Sequence, residues 1–329
     1  MNKNIMIQTL EAFAVGDAFG KVTEYVTQKE IRNSFRVIDR ILTPEQSLTH
    51  KDLFYGQVTD DTEQTLYLID AFVQKKEMTS EISASALLKW MLETNSDCYI
   101  GPSSKKALID IEKGLDVNKA GITGITCGGV MRSLAALLIS RNHTELVSNT
   151  KSVLIPTHNT SLAMESAGCF VFAMEAAAMH KDIDEIIDSS VKGAEEFSEF
   201  GDKFRQNGCG PSCGSRILLI KDLMKEISSE SSFASFLYYN FGTTMSSIDV
   251  CTSALAIFLW FKGDVFKAIK FSTELGGDTD TIACLTAALS TLYAGGHNIP
   301  REIVNLVSVS NKINFENIVD KLCGVLKEK

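Results

Sequence analysis

The sequence predicts an all-α protein. Apolar residues recur at helical spacing in segment after segment, alternating strand patterns are almost absent, and the five prolines fall between helical patterns. Leu10, Phe13 and Ala14 share a face in the first segment, as do Leu66, Ile69, Phe72 and Val73 in the second. Similar patterns follow near 81–93, 129–140, 161–180, 183–198, 214–227, 248–261, 264–274, 279–293, 301–309 and 314–327. Pro44, Pro102, Pro156, Pro211 and Pro300 stand where one pattern has ended or the next is about to begin. Residues 36–41 make the best strand candidate, and their alternation is short.

No low-complexity segment or Ser/Gly linker divides the 329 residues, so one domain over 1–329 is expected. The stretch 200–214, with four of the 22 glycines and Pro211, is the expected long loop. A net charge of −9 argues against broad binding to nucleic acid, which needs a basic face. Arginine supplies only 8 of the 32 basic residues, so bidentate phosphate clamps are few. An anionic ligand would need its positive charge from elsewhere. The eight cysteines lack a repeated short spacing and read as reduced, mostly buried thiols; Cys209 and Cys213 have no second pair to complete a zinc site. Glu11 and Asp17 interrupt the first apolar stretch against a signal peptide. Glu165 and Glu175 make 161–180 a buried helix rather than a membrane span. A soluble, cytoplasmic chain is expected, and without a heptad seam it is expected to be a monomer.

Two short acidic motifs echo each other: Thr59-Asp60-Asp61-Thr62 and Asp278-Thr279-Asp280-Thr281, each ahead of an apolar helical run. Helix capping is the plain explanation, since Thr and Asp accept orphan backbone N–H bonds and carboxylates complement a helix N-terminus. Two features exceed it. Asp60, Asp61 and Glu63 crowd three carboxylates into one turn, and Gly276-Gly277 suits a backbone that something must approach closely. Carboxylates interleaved with Thr hydroxyls are hard oxygen donors suited to magnesium or manganese, and a two-metal site orients water and substrate around a scissile bond.

Three motifs in order resemble the signatures of the ADP-ribosylglycohydrolase family. They are Gly16-Asp17-Ala18-Phe19-Gly20, Thr59-Asp60-Asp61-Thr62, and Leu275-Gly276-Gly277-Asp278-Thr279-Asp280-Thr281-Ile282-Ala283, and the resemblance spans roughly residues 5–300. It implies a compact single-domain orthogonal helical bundle with a centre of two Mg2+ ions (or Mn2+), held by Thr59, Asp60, Asp61, Asp278, Asp280 and Thr281. The implied reaction is hydrolysis of the C1″ bond between ADP-ribose and a protein side chain or small acceptor, with Asp61 and Asp280 at the reacting centre. A catalytically silent ADP-ribose-binding member, or a hydrolase of another nucleoside or phosphate substrate, are the alternatives.

The same resemblance assigns weaker signals. Glu24 becomes a metal contact or an acid/base group on a mobile loop over the metals, against the alternative of a solvated loop carboxylate. Asp17 fixes the Gly16–Gly20 turn and orients the metal cluster. The segment Gly128, Gly129, Val130 and Met131 lies under the diphosphate, where two glycines at a helix start bare N–H groups. Here the chain departs from the family pattern, with Cys127 where Asn is usual and Ser133-Leu134-Ala135 in place of a small-residue/Pro run. His158, ahead of a long buried helix, contacts ADP-ribose or holds its loop. Gly210-Pro211-Ser212-Cys213-Gly214 matches a nucleophile elbow only formally, since no strand precedes it.

Overall fold

The computed structural model of the chain describes residues 1–94, 99–201 and 211–327. Helix α1 (Lys3–Gly20) begins where the Asn2 side chain accepts the Ile5 amide at 2.9 Å. From Met6 onward nearly every side chain is buried, Asp17 included. A helix apolar on all sides must be surrounded, and α1 lies at the centre of the protein. Its principal neighbour is α15 (Thr279–Ala294), buried from Thr279 to Leu292 and closed by Gly295 in the left-handed region.

Small residues set the distance between these two helices. A Cβ on Gly16 would stand 2.7 Å from the Ala283 carbonyl carbon, and one on Gly20 would stand 2.4 Å from Thr279 O and 2.5 Å from the Asp280 Cα. The Gly16–Gly20 motif is therefore helical, a crossing point rather than the turn expected from sequence. Gly168 of α9 (Ser161–Ala178) and Gly193 of α10 (Ile183–Ser198) make a second crossing of the same kind.

The remaining helices are α2 (Gln28–Ser34), α3 (Asp60–Lys75), α4 (Ser80–Glu93), α5 (Pro102–Glu112), α6 (Val117–Ala120), α7 (Ser133–Leu138), α8 (His143–His158), α11 (Cys213–Leu223), α12 (Glu230–Phe236), α13 (Ser247–Phe261), α14 (Val265–Thr273), α16 (Arg301–Ser310) and α17 (Phe315–Lys327). Among the described residues there is no strand, only an isolated bridge between Thr126 and Ser246. The all-α expectation holds, and residues 36–41 are irregular coil.

Two sequence expectations fail at proline and glycine. Pro156 lies inside α8, although the sequence placed it between helices. The proline removes one backbone donor near the helix end. The buried Arg132 donates Nη1 to the Val153 carbonyl at 3.1 Å and to Thr157 Oγ1 at 2.6 Å in that same turn. The 129–140 segment is likewise two pieces, a 3-10 turn over Val130–Arg132 followed by α7. Most of the expected 200–214 loop, with Cys209 and Gly210, lies outside the described residues, as does Cys98. Ser212 caps α11 by accepting the Ser215 amide and donates to Glu165. Helix α9 is long and apolar enough to cross a membrane by length and composition, and 78% of it is buried inside the protein.

Gly20→Ala is expected to lower the unfolding free energy by about 1–3 kcal/mol, the usual cost of overpacking, because its Cβ meets backbone that cannot rotate away. A denaturant titration with an unchanged midpoint would contradict the close crossing of α1 and α15.

Candidate metal centre

Helix starts bring the acids together. Asp60 and Asp61 occupy the first turn of α3, and Asp278 and Asp280 the N-cap and first turn of α15. Neither N-cap residue caps its helix: Thr59 and Asp278 make no side-chain capping bond. Capping therefore does not account for the acidic motifs. Thr59 Oγ1 instead donates to Asp17 Oδ1 at 2.8 Å.

Asp17 is the hub of the arrangement. Its carboxylate accepts from the amides of Thr59 and Thr62 at 2.9 and 3.1 Å, and from both their hydroxyls at 2.8 and 2.6 Å. One buried side chain of α1 thus orients the whole first turn of α3. Burial pushes its carboxyl up to about 6, against the lowering pull of the Thr62 and Thr59 bonds.

Glycine places the second motif. Gly276 and Gly277 have φ of +85° and +89°, and a Cβ on Gly277 would lie 2.0 Å from Thr243 O. What comes close at this turn is the protein's own backbone: the Asp278 amide donates to Thr243 O at 2.7 Å, while Tyr25 N and Gly277 O pair at 2.9 Å.

The result is a set of oxygen donors around Asp280. Asp17, Asp61 and Asp280 each bring a carboxylate oxygen within 4.8 Å of the others, and so do Glu24, Asp278 and Asp280. Asp61 Oδ2 receives the Thr281 hydroxyl at 3.4 Å and Oδ1 the Cys284 thiol at 3.3 Å. Asp278 Oδ2 and Asp280 Oδ1 are buried with no hydrogen-bond partner. Buried polar atoms are rarely left so, and an all-oxygen set with unused lone pairs fits a hard divalent cation. Burial and the charge of Asp280 push the carboxyls of Asp61 and Asp278 well above the ordinary range. Burial acts on Asp280 the same way, but the Lys21 ammonium beside it holds that carboxyl below its usual value.

Lys21 and His50 are the residues sequence reasoning missed. Lys21 Nζ contacts Glu24 Oε2 and lies 3.0 Å from Asp280 Oδ2, with the lysine side chain only 2% exposed. His50 Nε2 lies 2.7 Å from the same Glu24 oxygen. The one available signal was the opposite-charge pair Lys21/Glu24 at i,i+3. Glu24 is accordingly buried rather than a solvated loop carboxylate. Thr49 Oγ1 fixes its carbonyl at 2.9 Å and Ser47 Oγ that of Val22 at 2.8 Å. Glu63, counted with the crowded acids, belongs elsewhere: its Oε2 accepts from Trp90 Nε1 and Tyr99 OH, both at 2.8 Å.

The glycine segment borders the same site. Cys127 Sγ lies 3.8 Å from Thr281 Oγ1, and its amide donates to Met245 O at 2.8 Å. His158 lies beneath: a Cβ on Gly128 would fall 2.7 Å from its Cε1. The imidazole is fully buried at the C-terminal end of α8, with Nε2 2.9 Å from Thr126 Oγ1 and Nδ1 2.8 Å from Thr157 Oγ1. Both ring nitrogens are thus engaged by protein hydroxyls, and its position supports the 126–129 turn. Val130 and Met131 bury their side chains.

A family model for ADP-ribosylglycohydrolase matches residues 6–329, and the chain belongs to that family. It is 24% identical to the uncharacterized protein YegU of Escherichia coli over 335 residues, covering 100% of this chain and 99% of that one. Similarity to ADP-ribosylhydrolase ARH3 of Danio rerio is 26% identity over 187 residues, 53% of this chain and 50% of the relative. A solved structure titled ADP-ribosylglycohydrolase-related protein complex superposes with a TM-score of 0.71 over 98% of both chains at 19% identity, a likeness of fold.

Asp17→Asn replaces an acceptor of four bonds with a side chain whose NH2 must face a donor. The expected outcome is about 1–3 kcal/mol less stability. Hydrogen exchange at the Thr59 and Thr62 amides should also be faster than in the unsubstituted protein. Unchanged protection at both amides would remove Asp17 from its organising position.

Proposed function

We propose that this protein is a metal-dependent hydrolase that cleaves the C1″ glycosidic bond of ADP-ribose to a modified side chain or small acceptor. The carrying observation is the convergence of two helix-start acid motifs on one buried cluster, in which Asp278 Oδ2 and Asp280 Oδ1 have no hydrogen-bond partner. Thr59, Asp60, Asp61, Asp278, Asp280 and Thr281 would hold magnesium or manganese. A bound cation supplies Lewis-acid chemistry, gripping ribose hydroxyls and lowering the pKa of water.

The chain's own residues divide the remaining work. Attack of water at C1″ breaks the bond to the acceptor and releases a proton, which Glu24 would take and pass to the leaving group. Glu24 Oε2 lies against the Lys21 ammonium and the His50 imidazole. The backbone of Gly128, Gly129, Val130 and Met131 would receive the diphosphate; it follows Cys127, whose Sγ lies 3.8 Å from Thr281 Oγ1. His158 supports that turn from below.

A silent ADP-ribose-binding protein is the second reading, favoured by the ammonium seated between Glu24 and Asp280. Incubation with ADP-ribosyl-arginine, ADP-ribosyl-serine and ADP-ribose-1″-phosphate, with and without magnesium, separates the two. Magnesium-dependent release of ADP-ribose (or the acceptor) from at least one compound is expected. Tight binding of ADP-ribose with no release from any compound would establish the silent reading instead. Asp61→Ala should reduce release to background while the far-ultraviolet circular dichroism stays helical; full activity in that variant would overturn the assignment.

A further inference from the structure

Lys21 sits where a second cation would be. The trio Glu24, Asp278 and Asp280 has its oxygens within 4.8 Å of one another, the spacing of a cation site. The ammonium of Lys21 touches two of its three members: Glu24 Oε2 directly, and Asp280 Oδ2 at 3.0 Å. This is no surface lysine folded inward by chance. Its side chain is 2% exposed, and its backbone directly follows the Gly20 crossing, where the chain turns from α1 into a 3-10 turn. The segment after it is tied to the start of α15 by Tyr25 N–Gly277 O and Gly277 N–Val26 O bonds of 2.9 and 3.1 Å, so Lys21 has little backbone freedom to withdraw.

We propose that the Lys21 ammonium is a built-in cation that fills one of the two metal positions, so that this protein holds a single divalent ion. The proposal rests on the metal reading above and sets its stoichiometry. An ammonium is a compact point charge with three donors and no acceptor. Lodged among carboxylates, it satisfies oxygens that would otherwise face a metal, and it repels a dication brought into the same trio. The oxygens it leaves unused are Asp278 Oδ2 and Asp280 Oδ1. Asp280 also shares a cluster with Asp17 and Asp61, and the Thr281 hydroxyl lies against Asp61, enough oxygen for one hard cation with water completing its shell. Asp280 serves both charges, with one oxygen turned to the ammonium and the other open.

Metal-free protein prepared with a chelator and titrated with manganese tests this without any turnover assay. The unsubstituted protein should bind a single manganese per chain, by calorimetry and elemental analysis, with an isolated-ion electron paramagnetic resonance spectrum. Lys21→Ala should bind one more, with the spectrum of a spin-coupled pair, and should gain more thermal stability from manganese than the unsubstituted protein does. Lys21→Met, which keeps the side-chain length without charge, guards against collapse of the site in the alanine variant. Two coupled ions in the unsubstituted protein would overturn the proposal while leaving the metal reading intact, and that outcome needs no variant to fold. A variant that folds yet still binds one ion would also overturn it. No manganese bound by any of the three proteins would overturn the metal reading and this proposal together.

Discussion

The site depends on how closely α1 passes α15. At Gly16 and Gly20 the two backbones approach to a distance that admits no Cβ. That contact fixes the two polar side chains of the α1 end. Asp17 is turned toward the start of α3, and Lys21 toward the start of α15. A wider crossing would carry Lys21 away from Asp280, and would part Asp17, which holds the start of α3 through Thr59 and Thr62, from the start of α15. The small residues and the acids are therefore parts of one device, in which packing supplies the precision that ligand binding needs.

Such a device is electrostatically expensive. Carboxylates of Asp17, Glu24, Asp61, Asp278 and Asp280 are all buried within one region. Two kinds of compensation are visible. Asp61 and Asp280 stand in the first turns of α3 and α15, where the positive end of each helix favours negative charge. Lys21 adds a full positive charge, and its effect shows in the contrast between neighbours: Asp61 and Asp278 are pushed upward, and Asp280, which holds the ammonium, is not. The remaining imbalance is what a divalent cation would relieve, consistent with the unpaired oxygens of Asp278 and Asp280.

Sequence reasoning went wrong where a tertiary partner overrode a local rule. Pro156 argued for a helix boundary, but Arg132, brought in from the turn before α7, donates to Val153 and Thr157 there, and α8 continues to His158. Glu63 looked like a third acid of the cluster, yet 100° of helical rotation per residue carries it to Trp90 and Tyr99. Cys169, Cys213 and Cys251, far apart in the chain, meet in the core between α9, α11 and α13, a convergence no spacing announced.

From the sequence alone came the all-α class, through apolar periodicity, and the acid motifs, through their order and residue types; both are local properties, carried by side-chain spacing within single helices. Tertiary structure alone decided what those motifs face. Lys21 follows a motif that was read correctly, yet nothing in its neighbours says that its ammonium turns inward to Asp280, 259 residues away. Charge in a protein takes its meaning from solvent exposure and from distance to other charges, and both are set only when the helices pack.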